Sequence, residues 1–259
     1  MIYIERTEVD LDKAPLVLFD NILLDGTVTA TTEAANADVE NLLTDSTFDF
    51  WKPTTTSGTV SLSLGSSTTA SALGISGHDL GTQGATVTVK RGATTVATVS
   101  PTDDSTILIL FASGSSTSYS VQITGATAAP YISNMVLGVP LVFTTGIVPS
   151  YTPLWMAEEV ELLQNQSLGG QFFQNRVIRK SANTAVNLNI LERSFIEAAP
   201  FQNFRRHYND GKTFFFAAGP ATFEDDGSFC RRSGETLKPT FASAGIFYQV
   251  AMQLEAYIG

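Results

Sequence analysis

The chain has 259 residues, of which 43% are hydrophobic and only 15% charged, enough for one large or two ordinary buried cores. Its formal charge of −10 is concentrated in residues 1–150, with 14 acidic and 5 basic side chains against 11 and 10 in residues 151–259. That balance argues against nucleic-acid binding, which needs cations to displace condensed counterions. A single cysteine, Cys230, rules out an internal disulfide framework and any cysteine-based metal cluster.

The N-terminus, MIYIERTEVD, has neither a basic start nor an apolar stretch, so no signal peptide is expected and the cytoplasm is the expected site of synthesis. The longest apolar run, residues 132–148, is broken by Asn134, Gly138, Pro140 and two threonines, so no membrane insertion is expected. In ANADVENLLTD (35–45), Val39, Leu42 and Leu43 fall at i, i+3 and i+4 and predict one short helix. Trp51 follows Phe48 and Phe50 and reads as a core plug shared with that helix, although an exposed tryptophan there could instead stack on a sugar.

From Thr54 to Thr127, 31 of 74 residues are Ser or Thr, and no glutamate occurs between positions 41 and 157. Such sequence disfavours helix and suits strands. Val60, Leu62 and Leu64 alternate with Thr59, Ser61 and Ser63; Val87 and Val89 repeat the pattern, as do Tyr119, Val121 and Ile123. Ile107 to Phe111 is apolar at every position, as in a strand covered on both faces. Turn sequences separate these runs, which together predict an antiparallel sandwich or barrel. His78, between Gly77 and Asp79, reads as a turn residue bonded to local backbone, and Asp103-Asp104 as a hairpin tip.

A second regime begins near residue 148, with denser charge and paired arginines at Arg205-Arg206 and Arg231-Arg232. Residues 169–191 read as a glycine turn followed by two strands. Ser194 to Tyr208 predicts two short helices with Pro200 in the first turn of the second, placing Phe201, Phe204 and Tyr208 on one face. Asn209-Asp210-Gly211 ends that helix, and Thr213 to Phe216 returns as a buried strand. Final strands are expected around Thr240–Phe241 and Ile246–Tyr257.

The chemistry-bearing residues are sparse. With two histidines, His78 and His207, no GxSxG elbow and no phosphate-binding glycine loop, no catalytic and no cofactor-binding residue is assigned, and the chain is not expected to be an enzyme. The acidic pairs Asp103-Asp104, Glu158-Glu159 and Asp225-Asp226 are adjacent in sequence, whereas glycosidase carboxylates converge from separate elements. Calcium near Asp45 and Asp49 is conceivable, but no ordered string of oxygen ligands supports it, so no metal site is assigned.

Taken in order, ANADVENLLTD, TFDFWKP, TVSLSLG and ALGISGHDLGTQGATVTV resemble the N-terminal sandwich of a family of tailed-bacteriophage tail proteins. SLGGQFFQNRVIRK, APFQNFRRHYNDGKTFFFAAGP and FCRRSGETLKPTF are similar to the segment that follows it there. The resemblance implies a mainly β chain: a galactose-binding-like (discoidin-like) β-sandwich over residues 19–147, and a smaller β-barrel-like α+β domain with one or two short helices over 148–259, with which the N-terminal residues 1–18 pack. It implies a virion location and a structural role in a distal-tail or baseplate ring. The partners would be other tail proteins (tail tube, hub, fibre anchors) and further copies of the chain. It supplies no catalytic residue and no cofactor. The alternative it leaves open is a carbohydrate-binding module engaging host-surface glycans. The phenylalanines at Phe172-Phe173 and Phe214 to Phe216 exceed what a small barrel is expected to bury, so some are expected at subunit contacts. Arg205 and Arg206 are the other candidate contact residues.

Overall fold

The computed structural model describes residues 1–5, 14–149, 151–243 and 246–258. The N-terminal segment predicted over 1–18 and the predicted boundary near 148 therefore lie partly outside the described residues. The chain is mainly β, and its strands form two hydrogen-bonded sheets.

The first sheet folds over on itself into a sandwich. Its strands are β1 (Ile2–Glu5), β3 (Thr27–Ala30), β4 (Gly58–His78), β5 (Thr86–Arg91), β6 (Thr94–Val99), β7 (Ile107–Thr124) and β8 (Ile132–Gly138). Two of them, β4 and β7, are long and interrupted by register shifts at Ser63/Thr68 and Ala70/Ala72, where the pair bends. One half of that pair lies between β3 and β5, and β6 extends that layer. The other half lies between β8 and β1, with β1 running parallel to β7. The inward residues of both layers, including Val60, Leu62, Leu73, Ile75, Val87, Ile109, Phe111 and Met135, share one buried cluster.

The second sheet is open, in the order β10 (Glu158–Leu163), β11 (Arg176–Glu192), β15 (Phe247–Ala256), β13 (Gly227–Arg232), β12 (Phe214–Ala217), β2 (Leu16–Leu18) and β9 (Leu141–Val142). β14 (Thr240–Ser243) pairs with β15 beside it. Helices α1 (Arg193–Glu197) and α2 (Ala199–Asn209) pack on one face. Pro200 occupies the first turn of α2, where its missing N–H has no partner to lose. Phe201, Phe204 and Tyr208 point inward from α2, and the Tyr208 hydroxyl donates to Gln253 O and accepts from Gln253 N, both at 2.9 Å. Gly211 follows with φ +74°, the left-handed backbone that ends such a helix.

The two sheets meet along a third apolar cluster. Ile2, Ala72, Leu108 and Leu110 from the outer face of the sandwich pack on Leu16, Leu18, Phe215, Ala217 and Phe229. This seam explains why Ile107 to Phe111 is buried on both sides, as its unbroken apolarity predicts: Ile107, Ile109 and Phe111 face the sandwich core, Leu108 and Leu110 the second sheet. It also accounts for the buried strand expected at Phe214 to Phe216, and leaves none of that run for a subunit contact. All three are fully buried, because β12 is central: Phe214 and Phe216 face the helices and Phe215 faces the sandwich.

Other differences concern boundaries. The N-terminal segment divides between the sheets, β1 joining β7 and β2 joining β12, while β9 also leaves the sandwich region for the second sheet. The predicted helix at 35–45 is a single 3-10 segment, Val39–Leu43, burying Val39 and Leu42. Residues 169–191 do not form two strands. They form the tip of a hairpin and then the single strand β11, whose kink falls at Ile190 with φ +61° beside a register shift.

Candidate functional site

Two surface features stand out from this frame: an aromatic and acidic groove at the seam, and a projecting hairpin.

The groove, about 540 Å3, lies between the end of β4, the β6–β7 connection, the start of β10 and the C-terminal end of β15. Trp155, Tyr131 and Tyr257 line it with Asp103, Asp104, Glu158 and Asp225; Trp155 is 62% exposed. The aromatics follow from geometry. Trp155 sits in a 3-10 turn (Leu154–Met156) that buries Leu154 and turns the next side chain outward. Tyr131 opens β8 and packs its ring against Phe50 at 5.4 Å.

His78 lies in the wall of the groove, almost wholly buried. Its Nε2 is 2.9 Å from Ser105 O, and its Nδ1 accepts from Leu80 N at 3.3 Å. These bonds assign the proton to Nε2, because Nδ1 must be the acceptor. Burial holds its pKa below the ordinary histidine value, opposed by the Ser105 carbonyl. His78 is therefore not the turn residue its sequence suggests: it ends strand β4 opposite Ile132, with one nitrogen on local backbone and the other on the distant Ser105 carbonyl, and neither is free for proton transfer in this arrangement.

The acids are largely used by their own loops. Asp103 accepts from Ser105 N at 2.9 Å and from the Ser105 hydroxyl, which lowers its pKa. Asp104 ties the two connections together by accepting from Thr82 N at 2.9 Å and from the Thr82 hydroxyl. Glu158 pairs with Lys180 at 2.8 Å. What remains toward solvent is a set of carboxylate lone pairs beside aromatic faces, which suits hydroxyl donors and sugar rings. Among the described residues, no group of three His, Cys, Asp or Glu could hold a metal ion, and no helix is long and apolar enough to cross a membrane.

The hairpin is the free edge of the second sheet. β10 pairs with β11 from Glu158↔Ala182 to Leu163↔Arg176, with a bulge at Glu161/Leu162. A Gln166↔Phe172 bridge extends it to a tip around Gly170, whose φ is +83°. Every residue from 158 to 180 is solvent-exposed except Ser167, which is half-buried. The exposed set includes Val160, Leu162, Leu163, Leu168, Val177 and Ile178, with Phe172 at 89% and Phe173 at 55%. Phe172 and Phe173, predicted as contact residues, therefore sit at the tip. Arg205 and Arg206 lie elsewhere, on α2. Arg206 donates to Asn203 Oδ1 at 2.8 Å and lines a groove between α2 and the sandwich loops, so the four residues do not form one patch. Sequence reasoning missed Trp155 and the aliphatic residues of β10 and β11. Nothing in the local pattern of Val160, Leu162, Val177 and Ile178 announces exposure, and only the sheet order shows that they stand uncovered among the described residues.

Neither a protein-family profile nor any curated protein matches the sequence. Among solved structures, chitosan-binding module 1 from a chitosanase/glucanase of Paenibacillus sp. IK-5 is 20% identical, with 46% of this chain and 98% of that chain covered and a TM-score of 0.39. CpGH89CBM32-5 from Clostridium perfringens, in complex with GalNAc-β-1,3-galactose, is 13% identical over 47% of this chain and 99% of that chain, with a TM-score of 0.39. A putative alpha-L-fucosidase from Bacteroides thetaiotaomicron is 15% identical over 47% of this chain and 29% of that chain, with a TM-score of 0.40. Each match spans less than half of this chain, and at these scores none assigns it a ligand. The chain is mainly β, and its first sheet forms the expected β-sandwich.

Proposed function

We propose that the chain is a self-assembling structural subunit of the distal-tail or baseplate type in a tailed bacteriophage. The supporting observation is the β10–β11 hairpin, a free sheet edge carrying Val160, Leu162, Leu168, Phe172, Phe173, Val177 and Ile178 with no covering partner among the described residues. Monomeric proteins blunt such edges or cover them, and an uncovered apolar projection marks a protein–protein contact. The sequence resemblance to phage tail proteins supplies the context for the partner. Electron microscopy of the purified chain at high concentration should show closed rings, and Phe172→Asp with Phe173→Asp should leave folded monomers. Normal assembly by the double variant, or absence of the chain from purified virions, would overturn this reading.

A second reading, glycan binding at the host surface, is favoured by the seam groove. Its exposed Trp155 beside Tyr131, Tyr257 and the carboxylates is suited to stack on a sugar ring and accept from its hydroxyls. On a glycan array the full chain should bind saturably, and Trp155→Ala should lose at least about tenfold in affinity, given about 1.4 kcal/mol per decade. Binding that survives Trp155→Ala unchanged would remove the groove from consideration.

A further inference from the structure

The proposed assembly leaves open what the hairpin tip docks into, and the same chain carries a matching hollow. A groove of about 510 Å3 runs beside the base of the hairpin, lined by Ile147, Val148, Pro149, Pro153, Ala218 and Phe223 among others. It is predominantly apolar, and Phe223 is 57% exposed at its edge. The chain cannot fill this groove with its own tip. Strand β10 alone carries the chain six residues from Glu158 at the base, roughly 20 Å at about 3.3 Å per residue, and the tip lies beyond its end.

Charge matches as well as apolarity. Residues 164–179, which form the tip and the start of β11, contain Arg176 and Arg179 and no acid; the acids of the hairpin, Glu158, Glu159 and Glu161, lie on β10 toward its base, Glu161 opposite Arg179. Residues 218–226, beside the groove, contain Glu224, Asp225 and Asp226 and no base. Arg176 makes no ion pair among the described residues, and Arg179 reaches Glu255 only at 3.9 Å. Glu224 and Asp225 are exposed. Asp226 is not part of the rim: it is buried, accepting from the Tyr151 hydroxyl at 2.8 Å and from Leu154 N at 3.2 Å, and it holds the groove wall in place.

We infer that the hairpin tip of one copy, through Leu168, Phe172 and Phe173, inserts into the 147–153/218–223 groove of the next copy, with Arg176 and Arg179 facing Glu224 and Asp225. The contact is heterologous, since tip and groove are different surfaces of one chain. Such a contact closes into a ring when the rotation per subunit divides a full turn. The inference rests on the self-assembly proposed above and adds the partner surface.

Charge reversal tests it. Arg176→Glu with Arg179→Glu, and separately Glu224→Arg with Asp225→Arg, should each raise the concentration for half-assembly at least about tenfold in analytical ultracentrifugation. All four changes together should restore assembly to within about threefold of the unmodified chain, a rescue that damage to the fold could not produce. Circular dichroism confirms that each variant is folded. If the unmodified chain assembles and neither pair of reversals affects it, the docking is wrong and self-assembly stands. If both pairs weaken assembly and the quadruple variant does not recover, the two surfaces do not face each other and the docking is also wrong. If the unmodified chain remains monomeric at every concentration, both proposals fall.

Discussion

Phe215→Ala is expected to cost about 3–5 kcal/mol of stability, the range for deleting a buried aromatic side chain without full collapse of the space. Phe215 is fully buried in the seam cluster, its ring 4.9 Å from that of Phe229 and directly beneath Gly74. A Cβ at position 74 would lie 2.6 Å from the Phe215 ring, so the sandwich approaches the second sheet as closely as glycine permits. The loss should lower the thermal midpoint by on the order of 10 °C for a chain of this size. Gly74→Ala alone should also destabilise, by overpacking, at about 1–3 kcal/mol. In the Phe215→Ala background that cost should largely vanish, because the added methyl enters the space the ring has left. Calorimetry on the four proteins measures the coupling. Additive losses would show that Gly74 and Phe215 do not share the seam as described.

Trp51→Ala should destabilise by a similar amount, about 3–5 kcal/mol. Trp51 is fully buried in the sandwich core and exchanges two backbone hydrogen bonds with Ile132, at 2.8 and 3.0 Å. Its ring also lies against Gly58, where a Cβ would meet the indole at 2.8 Å. Its Nε1 finds no hydrogen-bond partner among the described residues. Trp51→Phe therefore removes a buried unpartnered donor, which offsets part of the cavity term. The expected order in a urea titration is unmodified chain, then Trp51→Phe, then Trp51→Ala, with the alanine variant well separated. A Trp51→Ala protein as stable as the phenylalanine variant would contradict the role of Trp51 as the plug between the 3-10 segment at Val39–Leu43 and β8. Loss of glycan binding in that variant would need separate interpretation, because the damage is to the core.

Much of this architecture could be read from residue patterns. Alternation in 59–64, 86–89 and 119–123 placed strands correctly because a half-covered strand must present apolar residues every second position. Pro200 and Gly211 bounded α2 because proline and glycine act on the backbone locally. His78 reads as a turn residue beside Gly77, yet it ends strand β4, because its Ser105 partner is 27 residues away and no local pattern announces it. The 3-10 segment was read as a longer helix, since its apolar spacing does not reveal where hydrogen bonding stops. The single strand over 176–192 was read as two, because the kink at Ile190 carries no glycine or proline to announce it.

The sequence by itself determined the mainly β class, the two regimes of the chain, the two short helices and the core role of Trp51. All of these depend on neighbours within a few residues or on a repeating period. Only the tertiary structure decided which apolar residues are covered. Phe214 to Phe216 and Phe172-Phe173 look alike as sequence, yet the first run is enclosed between the sandwich and α2 while the second stands in solvent. Strand order determines that difference: β12 is central in its sheet and β10–β11 forms its edge. Order arises from pairings between residues far apart in the chain, so no local pattern encodes it. The seam groove has the same origin. Trp155, Tyr131 and Asp103 are distant in sequence and become neighbours only because Leu108 and Leu110 of the sandwich pack on Phe215 of the second sheet.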